Sequence, residues 1–237
     1  MIRYVLVSSL MLIAHFGLTA QTLGTESGGF YYPEKLETWD VKSEFDILFA
    51  RVPYDVVEEA QTYRWPLFSL RGLMGLPENF ALEGTFSTDI VMFNATIGPK
   101  WRYDFTEKFH AYLGWDVSWF GGRVNQEQFD QSAYGWLTYP NLSMGYQFGR
   151  VLVTLKGELN YLIQLSGRTG QIETSYLSSA FNGFTIAAFV EQPLWKDQYV
   201  IIGLRGNTIK FYYPTWILAP TFDKYYFVPE AVLGIRL

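Results

Sequence analysis

The sequence predicts an all-β protein, an antiparallel up-and-down transmembrane β-barrel of about ten strands, with eight to twelve compatible with the pattern. Three observations predict it. Apolar and polar residues alternate with period two over long stretches. Short turns at one end of successive strands oppose mostly longer connections at the other. Aromatic residues make up 19% of the 237 and charged residues only 17%. Period two sends successive side chains to opposite faces of a strand, and aromatic abundance suits both strands and a lipid interface.

The elements follow in order. A first strand is expected near 41–53, where Phe45, Ile47 and Phe49 alternate with Glu44, Asp46 and Leu48. Arg64 to Leu76, the turn Pro77-Glu78-Asn79, and Phe80 to Ser87 form a hairpin. The alternation is clearest from Phe93 to Phe105, where Ala95, Ile97, Trp101 and Tyr103 oppose Asn94, Thr96, Lys100, Arg102 and Asp104. After Thr106-Glu107-Lys108 it resumes, with Phe109, Ala111, Leu113, Trp115, Val117 and Trp119 opposite His110, Tyr112, Asp116 and Ser118. Trp136 to Phe148 repeats it, Gly149-Arg150 turns the chain, and Val151 to Tyr161 returns. Phe184 to Val190 and Val200 to Leu204 flank a turn at Trp195-Lys196-Asp197, with a weaker polar face. Tyr225 to Leu237 supplies a last strand able to close the sheet.

Short turns are therefore expected near 77–79, 106–108, 149–150 and 195–197. Longer connections are expected near 54–62, 121–135, 163–181 and 211–224, with 87–92 a short exception. An even strand number with short turns on one side is the rhythm of an outer-membrane barrel whose turns face the periplasm.

A soluble barrel also alternates, but it turns its apolar face inward. Strand length and ring size separate the two. Strands of about 10 to 13 residues, tilted by roughly 40°, match an apolar band of about 25 Å, against about 5 or 6 residues for ordinary soluble strands. A narrow interior could hardly pack 19 Phe, 17 Tyr and 8 Trp, whereas rings facing lipid need no internal room. Trp101, Tyr103, Phe105 and Phe109 bracket one turn. Trp119, Phe120, Trp136, Tyr212, Tyr213 and Trp216 gather toward the other end, as a second girdle.

The N-terminus has secretory form: Arg3, a mostly apolar run from Val5 to Phe16, and Leu18-Thr19-Ala20 before Gln21. Residues 1–20 are expected to be a cleaved signal peptide, 21–40 a periplasmic N-terminal segment and 41–237 the barrel. These features resemble the broad class of small bacterial outer-membrane β-barrel proteins, with the aromatic-rich composition of Bacteroidota members. The resemblance covers nearly all of 41–237 and is architectural. It implies outer-membrane lipid and the barrel-assembly machinery as partners, although the chain ends in Leu237 where many such barrels end in Phe or Trp.

With the apolar face outward, the polar face lines the lumen. It carries Arg71, Lys100, Arg102, Lys156, Arg205 and Arg236 against Glu83, Asp104, Asp116, Glu158 and Glu230, a charge network expected to be paired because isolated buried charges are costly. About ten strands leave little bore, since open porins use about 16 to 18.

A net charge of −5 without a basic block leaves no footprint for nucleic acid. The absence of Cys excludes thiolate chemistry, disulfides and a lipidated Cys. Beyond the first 20 residues His110 is the only histidine, and Asp116 lies roughly 20 Å along the same strand face at about 3.3 Å per residue, too far for a dyad. No catalytic, metal or cofactor site is nominated. The expected function is a non-enzymatic barrel, structural or binding an extracellular or periplasmic protein partner, with loops 121–135, 163–181 and 211–224 as the contact surface. The alternative is a narrow channel or transporter for a small or apolar solute.

Overall fold

The computed structural model describes residues 28–53, 64–89, 91–126, 129–170, 172–194, 198–216 and 224–237. The expected signal peptide, the connection near 54–62, the turn at 195–197 and residues 217–223 of the connection near 211–224 lie outside them. Among the described residues ten strands form the barrel: β1 (Val41–Arg51), β2 (Arg64–Gly75), β3 (Phe80–Thr88), β4 (Met92–Asp104), β5 (Phe109–Gln126), β6 (Phe129–Phe148), β7 (Val151–Thr169), β8 (Ile172–Pro193), β9 (Tyr199–Ile209) and β10 (Tyr226–Arg236). A helical turn, α1 (Tyr213–Trp216), follows β9.

Each strand pairs antiparallel with its neighbours in sequence, and β1 pairs with β10, Glu44 facing Arg236 and Ala50 facing Glu230. The sheet thereby closes into the up-and-down barrel that the alternation predicts. Closure gives the backbone N–H and C=O groups partners within the wall. At the Pro77-Glu78-Asn79 turn, Glu78 and Asn79 adopt φ of 60° and 64°, and the Leu76 N–H donates to the Phe80 carbonyl at 2.8 Å. Two successive left-handed residues give the twist that a tight hairpin needs.

Two of the expected long connections are strand instead. β5 and β6 pair from Phe109–Tyr146 out to Gln126–Phe129, and β7 and β8 pair out to Thr169–Ile172, so 121–135 and 163–181 are extended hairpins. Their sequences lack period two for a physical reason. Gly121, Gly122, Asn125, Gln131, Ser132, Ser166 and Ser178 lie where the outer face no longer changes from polar to apolar, so the hydrophobic contrast that reveals a strand is gone.

The outer wall is apolar along the middle of the strands: Ile97, Leu113, Trp115, Leu155, Ile186, Ile202, Leu204 and Leu233 are all exposed. Rings border this band at both ends. At the turn end Tyr103, Phe105 and Phe109 touch in succession at 4.8 and 4.9 Å between centroids, and Tyr146 meets Phe148 at 4.5 Å. At the loop end Phe93 meets Trp119 at 5.0 Å and Tyr161 meets Phe181 at 5.1 Å.

Three residues assigned by sequence to the second girdle point inward. Phe120, adjacent to outward Trp119, must face the opposite side of its strand, and it is 0% exposed. Tyr212 and Tyr213 lie in a connection that dips into the barrel: the Phe211 N–H donates to Asn182 Oδ1 at 2.6 Å, and Asn182 Nδ2 donates to the Phe211 carbonyl at 2.9 Å. That reciprocal pair pulls the chain inward, so Phe211 packs with Phe120, Met92, Leu137, Leu162 and Leu165.

Candidate functional site

The interior is built from the inward residues of all ten strands, and their charges form two chains around the wall. In the first, Arg71 Nε donates to Asp46 Oδ2 at 2.8 Å and Arg71 Nη1 lies 4.0 Å from Glu83. Lys100 Nζ reaches Glu83 at 3.4 Å, Asp116 at 2.6 Å and Asn141 at 3.1 Å, while Asn141 Nδ2 donates to Asp116 at 2.8 Å. In the second, Lys156 pairs with Glu158 at 2.7 Å, and Arg205 lies 3.5 Å from Glu158 and 3.4 Å from Glu230.

The structure thus brings together eight of the sequence-nominated charges, Arg71, Glu83, Lys100, Asp116, Lys156, Glu158, Arg205 and Glu230, at one level of the lumen. It places the other three at the turn-end mouth. Arg102 pairs with Asp104 at 2.6 Å, but Asp104 is 45% exposed and so belongs to the rim. Arg236 donates to the carbonyl of Gly28.

His110 faces inward, with Nδ1 2.6 Å from Asp104 Oδ1 and the Tyr32 ring against it at 5.6 Å. Its acidic neighbour lies across the β4–β5 ladder, where Asp104 and His110 are register partners, rather than along its own strand.

The turn-end mouth holds a feature with no sequence signal of its own. Residues 28–37 form a strap folded into the barrel, fixed chiefly by side chains of the wall grasping its backbone. The N–H groups of Tyr31 and Tyr32 donate to the Glu191 carboxylate at 3.0 and 2.8 Å, and the Phe30 N–H donates to it as well. Arg102 Nε donates to the Pro33 carbonyl at 2.9 Å, and the Tyr112 hydroxyl to the Glu34 carbonyl at 2.6 Å. Lys42 pairs with the Glu34 carboxylate.

A carboxylate receiving several N–H donors makes strong, charge-assisted bonds. Gly29 is required beside it, because a Cβ there would stand 2.3 Å from Glu191 Oε2. Tyr31 stacks on Phe189 at 3.6 Å between centroids, with the Arg71 guanidinium 5.0 Å from its ring. Phe30 and Tyr31 bury against Leu48, Leu67, Leu73, Ala187, Ile201 and Val232. This inward apolar cluster is why the segments around 184–190 and 200–207 have so weak a polar face.

At the loop end the Phe211–Pro214 cap leans into the lumen, with Tyr212 and Tyr213 half-buried. The Tyr212 hydroxyl donates to Glu230 Oε1 at 2.7 Å, and burial followed by that carboxylate raises the phenol well above its ordinary pKa, so it remains a donor. Between strap and cap lies a chamber of about 120 Å³. Its wall includes the ladder Asn160–Thr185–Asn207, joined at 3.0 and 2.8 Å. Among the described residues no cluster of three or more His, Asp or Glu has the arrangement of a metal site.

No protein-family model matches the chain, and no curated protein matches it. Solved structures that are similar include Neisserial surface protein A, at 12% identity over 83% of this chain and 96% of that one, with a TM-score of 0.39. The translocator domain of the autotransporter NalP from Neisseria meningitidis is 10% identical over 83% of this chain and 87% of that one, with a TM-score of 0.41. The NanC porin is 6% identical over 81% and 98%, with a TM-score of 0.40. At these values the likenesses carry nothing about activity.

Proposed function

We propose that this chain is a non-enzymatic outer-membrane barrel whose lumen does not conduct, and which acts through the surface raised at its loop end. The observation that carries the reading is the strap. Residues 28–37 occupy the turn-end mouth through bonds to Glu191, Arg102 and Tyr112. Two chains of paired charges and the Phe211–Pro214 cap stand behind it.

The membrane assignment rests on the exposed band of Leu113, Trp115, Leu155, Ile186, Ile202 and Leu204 and on the ring contacts at its two edges. An apolar surface of that extent around a whole barrel is unfavourable in water and favourable against hydrocarbon. The extended β5–β6 and β7–β8 hairpins then stand outside the band, where Tyr176 is 62% and Ile172 71% exposed. They offer a rigid platform to an extracellular partner.

Fractionation tests the assignment. The protein should sediment with outer membrane, resist extraction at high salt and migrate differently on gels before and after heating. Recovery as a soluble periplasmic protein indifferent to heating would overturn the membrane reading.

A further inference from the structure

The central chamber is the strongest unassigned feature. The four carboxylates of its wall are matched by four cations: Arg71 lies 4.0 Å from Glu83, Lys100 meets Asp116 at 2.6 Å, Lys156 meets Glu158 at 2.7 Å, and Arg205 lies 3.4 Å from Glu230. An ion of either sign would have to compete with one of these pairs, and breaking a buried pair is costly. The chamber therefore favours a neutral guest.

The uncharged part of the wall narrows the chemistry. Thr85, Ser87, Asn94, Asn160, Thr185 and Asn207 line it from five strands. The ladder among them runs one way: Asn160 Nδ2 donates to Thr185 Oγ1, Thr185 Oγ1 to Asn207 Oδ1, and Asn207 Nδ2 to the Val228 carbonyl at 3.0 Å. Its head, Asn160 Oδ1, accepts nothing within the ladder. Two further atoms of wall residues lack a hydrogen-bond partner, the Tyr31 hydroxyl and Glu230 Oε2. Buried polar atoms are ordinarily satisfied. The phenol has a proton to give, whereas Asn160 Oδ1 and Glu230 Oε2 only accept. An alcohol hydroxyl donates and accepts through one atom; an ammonium only donates and a carboxylate only accepts.

We propose that the chamber binds a small neutral polyol reached from the loop end. Its hydroxyls donate to Asn160 Oδ1 and Glu230 and accept from Tyr31, and its carbons lie against Leu137, Ile209 and Phe211 in the same wall. Water alone suits this wall less well, because a water against those apolar groups forgoes hydrogen bonds that a C–H face does not need.

The volume sets the size. A cavity of about 150 Å³ accommodates benzene, so a chamber of about 120 Å³ admits a guest of up to roughly six heavy atoms, the size of a three-carbon polyol. The strap blocks the turn end, whereas Tyr212 and Tyr213 at the loop end are only half-buried. The site is a dead-end pocket rather than a passage.

The test uses the full chain folded in detergent and reads occupancy whether or not the lumen conducts. Saturation-transfer NMR follows glycerol titrated onto the protein, with empty micelles as the blank. Sucrose, a polyol too large for the chamber, and acetamide, a planar amide small enough to enter, serve as comparison solutes. Glycerol should give a saturable signal, and sucrose and acetamide should not. Glu230→Gln should weaken glycerol binding about tenfold or more, as loss of a charge-assisted contact does. Asn160→Leu, which removes the neutral acceptor at the head of the ladder, should weaken it about fivefold and gives a second reading if Glu230→Gln folds poorly. No saturable glycerol signal, the result expected of a chamber that holds water only, would overturn the proposal. So would equal saturation by sucrose or acetamide, or undiminished glycerol binding in folded Glu230→Gln or Asn160→Leu protein.

Discussion

Lys100 shows how much one lumen residue can decide. Its ammonium is 2% exposed and touches Asp116, Glu83 and Asn141. Lys100→Ala would leave two buried carboxylates short of their cation, and removing one partner of a buried pair costs about 3 to 5 kcal/mol. A urea titration of the folded barrel should show that loss. The double variant Lys100→Met with Asp116→Leu should recover much of it, because charge and countercharge leave together. Equal destabilisation in both would show that packing rather than pairing matters at this level.

Glu191 is the corresponding residue of the strap. Glu191→Ala removes the acceptor of three backbone N–H groups, each charge-assisted bond contributing about 1.5 to 3 kcal/mol. Hydrogen exchange at residues 30–32 should accelerate by orders of magnitude while the strands stay protected. Unchanged exchange would mean that the stack of Tyr31 on Phe189 suffices to hold the strap. Neither Glu191 nor Asp46 was nominated from sequence, although both lie in phase with inward residues. Their partners sit on other strands or on the strap, and period two reports a face without reporting what faces it.

At the scale of elements, the strands were legible wherever one face met an apolar surface and the other a polar one. They became illegible in the outer halves of the long hairpins, where that contrast disappears. β8 adds a constraint of its own. Gly183 has φ of 139°, and a Cβ there would lie 2.0 Å from the Thr208 carbonyl oxygen, at the point where the β7–β8 register shifts and β9 comes to its end. An ordinary strand Gly→Ala gains roughly 0.5 to 1 kcal/mol, whereas Gly183→Ala should destabilise by more than about 1 kcal/mol, through strain and displacement of β9. Thermal unfolding followed by gel mobility would detect it, and a neutral effect would mean that the bulge relaxes freely. The exposed Arg123–Asp130 pair on the β5–β6 hairpin, at 3.1 Å, should by contrast be dispensable.

For the molecule as a whole, the closed barrel followed from rhythm and ring content, and the inward charges followed from phase. The strap and the cap did not. Phe30-Tyr31-Tyr32 and Phe211-Tyr212-Tyr213 are aromatic runs without period, and such runs read equally well as interface rings or as plugs. Only the location of their partners, Phe189 for one and Phe120 and Asn182 for the other, separates the two.

The strap fills the turn end of the barrel while the cap only narrows the loop end, and ion conductance across a planar bilayer tests the seal made by the strap most directly. The full-length barrel should insert without discrete current steps, and a variant lacking residues 28–37 should show small, discrete steps as the turn-end mouth opens. Steps from the full-length protein, or silence from a deletion variant shown to be folded and inserted, would contradict a lumen sealed by the strap.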